Sequence, residues 1–214
     1  MQYHIDYIST GKVSDVTFDN QKTKRTAIFK EPFKGKMYLT KTGFTEDEQE
    51  YKGHGGIEKA ICFYSKDHHP FWNDILDQLP EYAIFGENIT VSGLTEEDLN
   101  IGDTYQLGEA IIQVSCPRQP CATIALKYGI KDLVKRMADS GKTGCYFRVL
   151  QEGYVSQNDH LQLLQSYEPK LSIYELNTTQ FKDNKNKSRI ENILNHDGIN
   201  EETRNIFTRF YNRL

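Results

Sequence analysis

Thr104-Tyr105-Gln106-Leu107-Gly108-Glu109-Ala110-Ile111-Ile112-Gln113-Val114-Ser115 is the stretch that decides the fold. Leu107-Gly108-Glu109 reads as a tight reversal, because glycine opens the backbone angles that a short turn requires. On either side lie short arms rich in β-branched and aromatic residues, in which successive side chains face opposite ways. Two such arms make an antiparallel hairpin, the unit of a β barrel or sandwich rather than of repeated βαβ units.

The same texture extends outward to about residue 165. Residues 12–18, 25–30, 37–41, 60–64 and 88–91 carry brief runs of Val, Ile, Phe, Thr and Tyr, punctuated by Gly and Asp. Residues 147–150 and 160–164 are expected to close the sheet, with Glu152-Gly153 turning between them. Two helices interrupt the strands. The first follows Asp67 as N-cap, carries Phe71, Trp72, Ile75, Leu76 and Leu79 at helical spacing, and stops at Pro80. The second bears the stripe Ile130, Leu133, Val134, Met137 and Ala138, with Gly141 as its terminating glycine. Residues 95–99 read as a turn between strands.

From Glu168 the pattern changes. Pro169 breaks the chain and three short helices follow. Ser172 and Glu175 form a capping box for the first, residues 188–195 make the second, and Asn200 caps the third. Residues 182–187 form a polar linker. The expected organisation is a mostly β domain over 1–166 and an all-α three-helix domain over 167–214.

Composition limits the function. The 214 residues are 37% hydrophobic and 26% charged, and no stretch nears the ~20 apolar residues of a membrane helix. Lys and Arg number 26 against 30 Asp and Glu, a net charge of −4, which is not the basic footprint of a nucleic-acid binder. The tail holds eight Lys/Arg against seven Asp/Glu, too even a balance for a DNA-reading helix-turn-helix. Four cysteines are too few for a disulfide scaffold, and the first residues show no secretory signal, so a reducing cytoplasm is the expected location. Ser140-Gly141-Lys142-Thr143 echoes a phosphate-binding loop, but Arg136 stands where its first glycine belongs. Asn88-Ile89-Thr90 and Asn177-Thr178-Thr179 match glycosylation sequons that mean nothing without secretion. His68-His69 reads as a solvated helix start, because neighbouring side chains diverge and no second ligand pair has zinc spacing.

Chemistry concentrates in three segments. Ser115-Cys116-Pro117-Arg118-Gln119-Pro120-Cys121 follows a strand, and its prolines forbid a helix or a continuing central strand, so a rigid loop is expected there. Arg118 could favour the Cys121 thiolate, although a lone cysteine before Ala122, Ile124 and Leu126 also fits a small buried hydrophobe. Gly53-His54-Gly55-Gly56 precedes a strand and offers close backbone approach and N–H groups to an anion. In Phe85-Gly86-Glu87-Asn88-Ile89, Asn88 is either a ligand contact or a turn former.

Taken in order, His54-Gly55-Gly56 with Lys59-Ala60, Phe85-Gly86-Glu87-Asn88-Ile89, Ile101-Gly102-Asp103 and Pro117-Arg118-Gln119-Pro120-Cys121 resemble the MOSC domain, named for the C-terminal part of molybdenum cofactor sulfurases. Thr26-Ala27-Ile28-Phe29-Lys30 and Gly144-Cys145-Tyr146-Phe147-Arg148-Val149-Leu150 fit as well, and the tail is similar to that of the stand-alone YiiM type. One loop departs: Glu46-Asp47-Glu48-Gln49-Glu50-Tyr51 stands where Gly-Asp-x-Gln-Ala-Asp is expected. The resemblance implies a closed MOSC-type β barrel holding a molybdopterin-type molybdenum cofactor, with Cys121 as metal ligand and catalytic residue. Lys30, His54, Gly55, Gly56, Asn88, Arg118 and Arg148 are the implied cofactor-binding positions. It further implies reduction of N-hydroxylated small molecules, such as hydroxylaminopurines, to amines, with electrons from an external flavin or iron–sulfur reductase. The alternative is a non-catalytic carrier of molybdenum cofactor or sulfur. A homodimer is the further expected partner, with neither membrane nor nucleic acid.

Overall fold

In the computed structural model, which describes residues 1–214, the strands are β1 (Gln2–Thr10), β2 (Ser14–Thr17), β3 (Thr23–Thr26), β4 (Glu31–Pro32), β5 (Lys36–Thr40), β6 (Gly43–Phe44), β7 (Ile61–Ser65), β8 (Ile89–Ser92), β9 (Thr104–Leu107), β10 (Ala110–Pro117), β11 (Cys145–Gln151), β12 (Gly153–Ser156) and β13 (His160–Gln165). The helices are α1 (His69–Asn73), α2 (Ala122–Tyr128), α3 (Leu133–Ser140), α4 (Ile173–Phe181), α5 (Lys187–Leu194) and α6 (Glu201–Tyr211). Seven strands close a barrel in the order β13-β9-β10-β11-β7-β8-β1, with β1 returning to β13 through Gln2↔Gln162, Tyr3↔Leu161 and His4↔His160. Closure removes the free strand edges that would otherwise template aggregation. The opening hairpin is as expected, Ala110↔Leu107 flanking Gly108.

Several expectations are corrected. The N-terminal segment, read only for the lack of a signal, is the longest strand; Ile5 and Ile8 bury in the lumen while its outward residues are polar. Glu152-Gly153 does not lead directly to the closing strand, because β12 intervenes and pairs with β5 in a separate three-stranded sheet. Strand β10 runs through Cys116 to Pro117, opposite Cys145, because a proline at a strand's last position removes only a terminal donor. The residues after Cys121 form α2, which the loop reading missed. The first helix is only α1; Leu76 buries and Ile75 and Leu79 pack against the same core from irregular chain beyond Asp74. Burial, not helix continuation, imposed that apolar spacing. Its start is not solvated either: His68 Nε2 lies 2.5 Å from Glu96 Oε2, and Asp67 accepts from the Gly93 N–H instead of capping. Burial, then the Lys66 charge, pushes His69 down to about 4, so its ring is neutral at pH 7.

Helix α3 ends as expected, with Gly141 at φ +75° donating to the Met137 and Ala138 carbonyls. The tail helices are capped by Ser172, Asn186 and Asn200, whose side chains accept from the N–H groups of Glu175, Arg189 and Thr203. The 182–187 linker is a hydrogen-bonded turn: the Asp183 N–H donates to the Thr178 carbonyl and Asn186 Nδ2 donates to Asp183. The main core holds 30 buried residues, and seven of them come from the tail: Leu171, Ile173, Leu176, Ile190, Ile193, Ile199 and Phe207. A second, smaller core outside the barrel gathers Ile28, Tyr64, Trp72, Phe85, Ile124 and Met137.

Candidate functional site

Strand alternation builds the floor of the site. In β7, Ile61 and Phe63 enter the barrel core, whereas Cys62 and Tyr64 face outward. In β11, Cys145 and Phe147 face in and Tyr146 faces out, beside Cys62 across the ladder and Cys116 on the other flank. Segments 24–30, 47–54, 85–88 and 117–123 rise over this floor and border an open cleft of ≈ 830 Å³, counting the space at its mouth.

Of the residues implied by sequence, Lys30, His54, Asn88, Arg118 and Cys121 line this cleft. Arg148 does not. It shares Tyr146's face of β11 but lies two residues, about 6–7 Å, further along. There its guanidinium bonds Gln113 Oε1 at 2.9 Å and Glu58 Oε1 at 3.1 Å. Gly55 and Gly56 are also absent from the lining. A side chain at Gly55 would start 2.2 Å from Gln49 Nε2, so the space over this glycine is taken by the Gln49 side chain. Gly86, at φ +80°, brings the 85–88 turn against the Ile28 carbonyl, where a Cβ would stand at 2.9 Å.

Polar networks hold the walls. Lys30 ion-pairs with Asp47, both nearly buried. Asp47 also accepts from the Gly11 N–H at 2.8 Å and from Asn88 Nδ2 at 2.8 Å. Asn88 in turn accepts from the Cys62 N–H and donates to the Ser9 carbonyl, so its amide is engaged within the protein. Glu87, fully buried, accepts from the N–H groups of Ile84 and Phe85 and so fixes the turn. Asp47, Gln49, Lys59 and Tyr146 were missed as lining residues. The first two lie in the 46–51 loop that sequence reading singled out for its departure, and Lys59 in a motif quoted without a role. Tyr146 likewise lies in a quoted motif, and the ladder pairing is what turns it toward the cleft.

Cys121 is half-buried and stands just before α2, its sulfur meeting the Thr123 N–H. Burial raises the thiol, but the hydrogen bond to His54 and the charges of Arg118 and His54 outweigh it and bring Cys121 down to about 6. Burial pushes Cys62 up to about 11 and Cys116 up to about 12, and holds Cys145 well above the usual thiol value. A single reactive thiol follows. In cofactor-free protein, iodoacetamide should alkylate Cys121 alone, at a rate that rises with pH and is half-maximal near pH 6 rather than near 9. Peptide mapping after a brief pulse tests this; comparable labelling of Cys62 would overturn it.

Arg118 carries the clearest sign of a ligand. Its Nη2 donates to the Phe85 carbonyl, while Nη1, in a residue only 6% exposed, has no partner. A buried guanidinium nitrogen without an acceptor is costly, and Arg118 is a lining residue of the cleft, which makes the cleft a place for an anionic group. The chain has no cluster of three His, Cys, Asp or Glu able to hold a metal ion. A metal here would have to bring most of its ligands with it, with Cys121 adding one soft thiolate. One soft thiolate and one unpartnered buried cation fit an anionic metal cofactor that carries its remaining ligands with it.

A family model described as MOSC domain matches residues 50–162. Over its full length the chain is 41% identical to the Bacillus subtilis protein YflK and covers 96% of it. It is 36% identical to Escherichia coli YiiM, over 77% of this chain and 73% of that one. A Gibberella moniliformis protein named as a reductase is 34% identical over 69% of this chain, a match spanning 27% of that longer protein. The crystal structure of YiiM from Geobacillus stearothermophilus aligns with a TM-score of 0.83 at 32% identity, covering 98% of this chain and 99% of that one. No helix is long and apolar enough to cross a membrane.

Proposed function

The chain belongs to the MOSC domain family and is of YiiM-like type, and on that premise we propose that it is a molybdenum-cofactor-dependent reductase of N-hydroxylated compounds. The observation that carries this reading is that Cys121, with its thiol brought down to about 6, and Arg118, with one buried nitrogen unpartnered, line the same cleft. The similarity to a protein named as a reductase agrees with it. When bound, the cofactor would supply two-electron oxygen-atom chemistry.

The protein's share is binding and orientation. Cys121 Sγ would ligate the metal, with the neighbouring His54 and Arg118 favouring its thiolate. Arg118 Nη1 would take an anionic oxygen or sulfur of the bound group, the planar guanidinium suiting such an acceptor. Lys30, held by Asp47, adds a second nearly buried cation to the same cleft. Reduction of R–NH–OH to R–NH2 and water consumes two electrons and two protons, and the electrons come from an external donor.

The test is protein made in a host that synthesises the cofactor, assayed for molybdenum, pterin and turnover of a hydroxylaminopurine with a chemical electron donor. Stoichiometric molybdenum with turnover supports the reading. Stoichiometric molybdenum without turnover of any N-hydroxylated substrate would turn it into a carrier, and protein free of molybdenum and pterin would sink both.

A further inference from the structure

The two segments that carry Cys121 and His54 to the lining of the cleft are each tethered to the C-terminal helices. Gln119, two residues before Cys121, exchanges two amide hydrogen bonds with Gln180 near the end of α4. Gln119 Nε2 donates to Gln180 Oε1 at 3.1 Å, and Gln180 Nε2 donates back at 2.6 Å. The tether matters because Pro120 removes a backbone donor from this loop. Its nearest backbone bonds are Arg118 N–H to the Gly144 carbonyl and Ile124 N–H to the Cys121 carbonyl.

On the other side, Lys59 Nζ donates to the Gly53 carbonyl at 3.0 Å, gripping the turn that carries His54. Lys59, with a side chain only 13% exposed, pairs with Glu202 Oε2 at 2.7 Å, in the first turn of α6. Its ammonium also lies 5.6 Å from the centre of the Tyr146 ring. Gln180 and Glu202 do not line the cleft; Gln119 and Lys59 do.

We propose that the C-terminal helices set the Cys121–His54 geometry, with Gln180 acting through Gln119 and Glu202 acting through Lys59 as positioning residues. Its bearing on cofactor retention rests on the reading of the cleft given above; the mechanical coupling does not. The tail is then a wall of the site and not a separate appendage.

Amide hydrogen exchange in the full-length, cofactor-free chain tests the coupling, and the half-time of molybdenum loss from loaded protein tests its consequence. Gln180→Ala should speed exchange at the Ile124 amide about tenfold, and Glu202→Ala should do the same at His54 and Lys59, with β9 and β10 unchanged. Gln119→Ala should match Gln180→Ala from the barrel side, and the double variant should be no faster than either. Both single tail variants should shorten molybdenum retention about tenfold, and Glu202→Asp, which keeps a carboxylate for Lys59, should restore it. Unchanged exchange at Ile124 and His54 would overturn the proposal, as would a uniform rise through the barrel, since the tail would then act by packing alone. Failure of Glu202→Asp to restore retention in a loaded protein would also count against it. Localised exchange effects in a chain that never takes up molybdenum would leave the coupling standing and remove the cofactor reading.

Discussion

Cys121→Ser is expected to yield a folded chain that keeps little molybdenum and reduces a hydroxylaminopurine roughly a thousandfold more slowly, or worse, with a chemical donor. Serine preserves the shape but replaces a polarisable anion with a neutral hydroxyl that a soft metal binds poorly. The control is Cys116→Ser, five residues away in the same segment. Cys116 lies packed against Tyr146, which separates it from Cys62, with its thiol pushed up to about 12, so it is neutral and has no metal to serve. That change should cost about 1–3 kcal/mol of stability through a hydroxyl placed in a packed pocket, and leave per-site activity intact. Metal analysis, denaturant titration and steady-state rates on the two variants decide the matter. Undiminished turnover in Cys121→Ser, or loss confined to Cys116→Ser, would falsify the ligand assignment.

A chain ending at Ser166 should not hold a native barrel. It retains every strand, and the change of texture near residues 165–170 makes it the natural cut. Yet the 30-residue core runs across that boundary. The Ile101 N–H donates to the Leu171 carbonyl at 2.9 Å, the Ile173 N–H to the Leu99 carbonyl at 2.9 Å, and Asn177 Nδ2 to Thr143 Oγ1 at 2.8 Å. Exposing the barrel side chains that seven buried tail residues cover costs roughly 1.5–3 kcal/mol for each one fully uncovered. A few such losses consume much of the ~5–15 kcal/mol that a domain has to spare. The expected result is a fragment with poor amide dispersion and no cooperative denaturant transition. A dispersed spectrum with a midpoint near that of the full chain would show that the barrel stands alone.

Local rules made much of this protein legible. Alternation around Gly108, the stripe and terminating glycine of α3, and the Ser172 and Asn200 caps are each decided within a few residues, by periodicity and by hydrogen bonds the side chain makes to its own backbone. The motifs around His54, Asn88, Arg118 and Cys121 share that property, because close backbone turns demand particular residues at particular places. What escaped has a common cause. Residues 2–10 form a barrel strand only because β8 and β13 flank them, and Leu76 and Leu79 carry helical spacing in irregular chain because a second core buries them. Arg148 left the site, and Tyr146 entered it, through where each sits along β11. The low value of the Cys121 thiol depends on His54, which is 67 residues away in sequence. Sequence alone thus determined which side chains could do chemistry and which way each short element alternates. The tertiary structure decided which of them meet, because contact, burial and charge act through space and not along the chain.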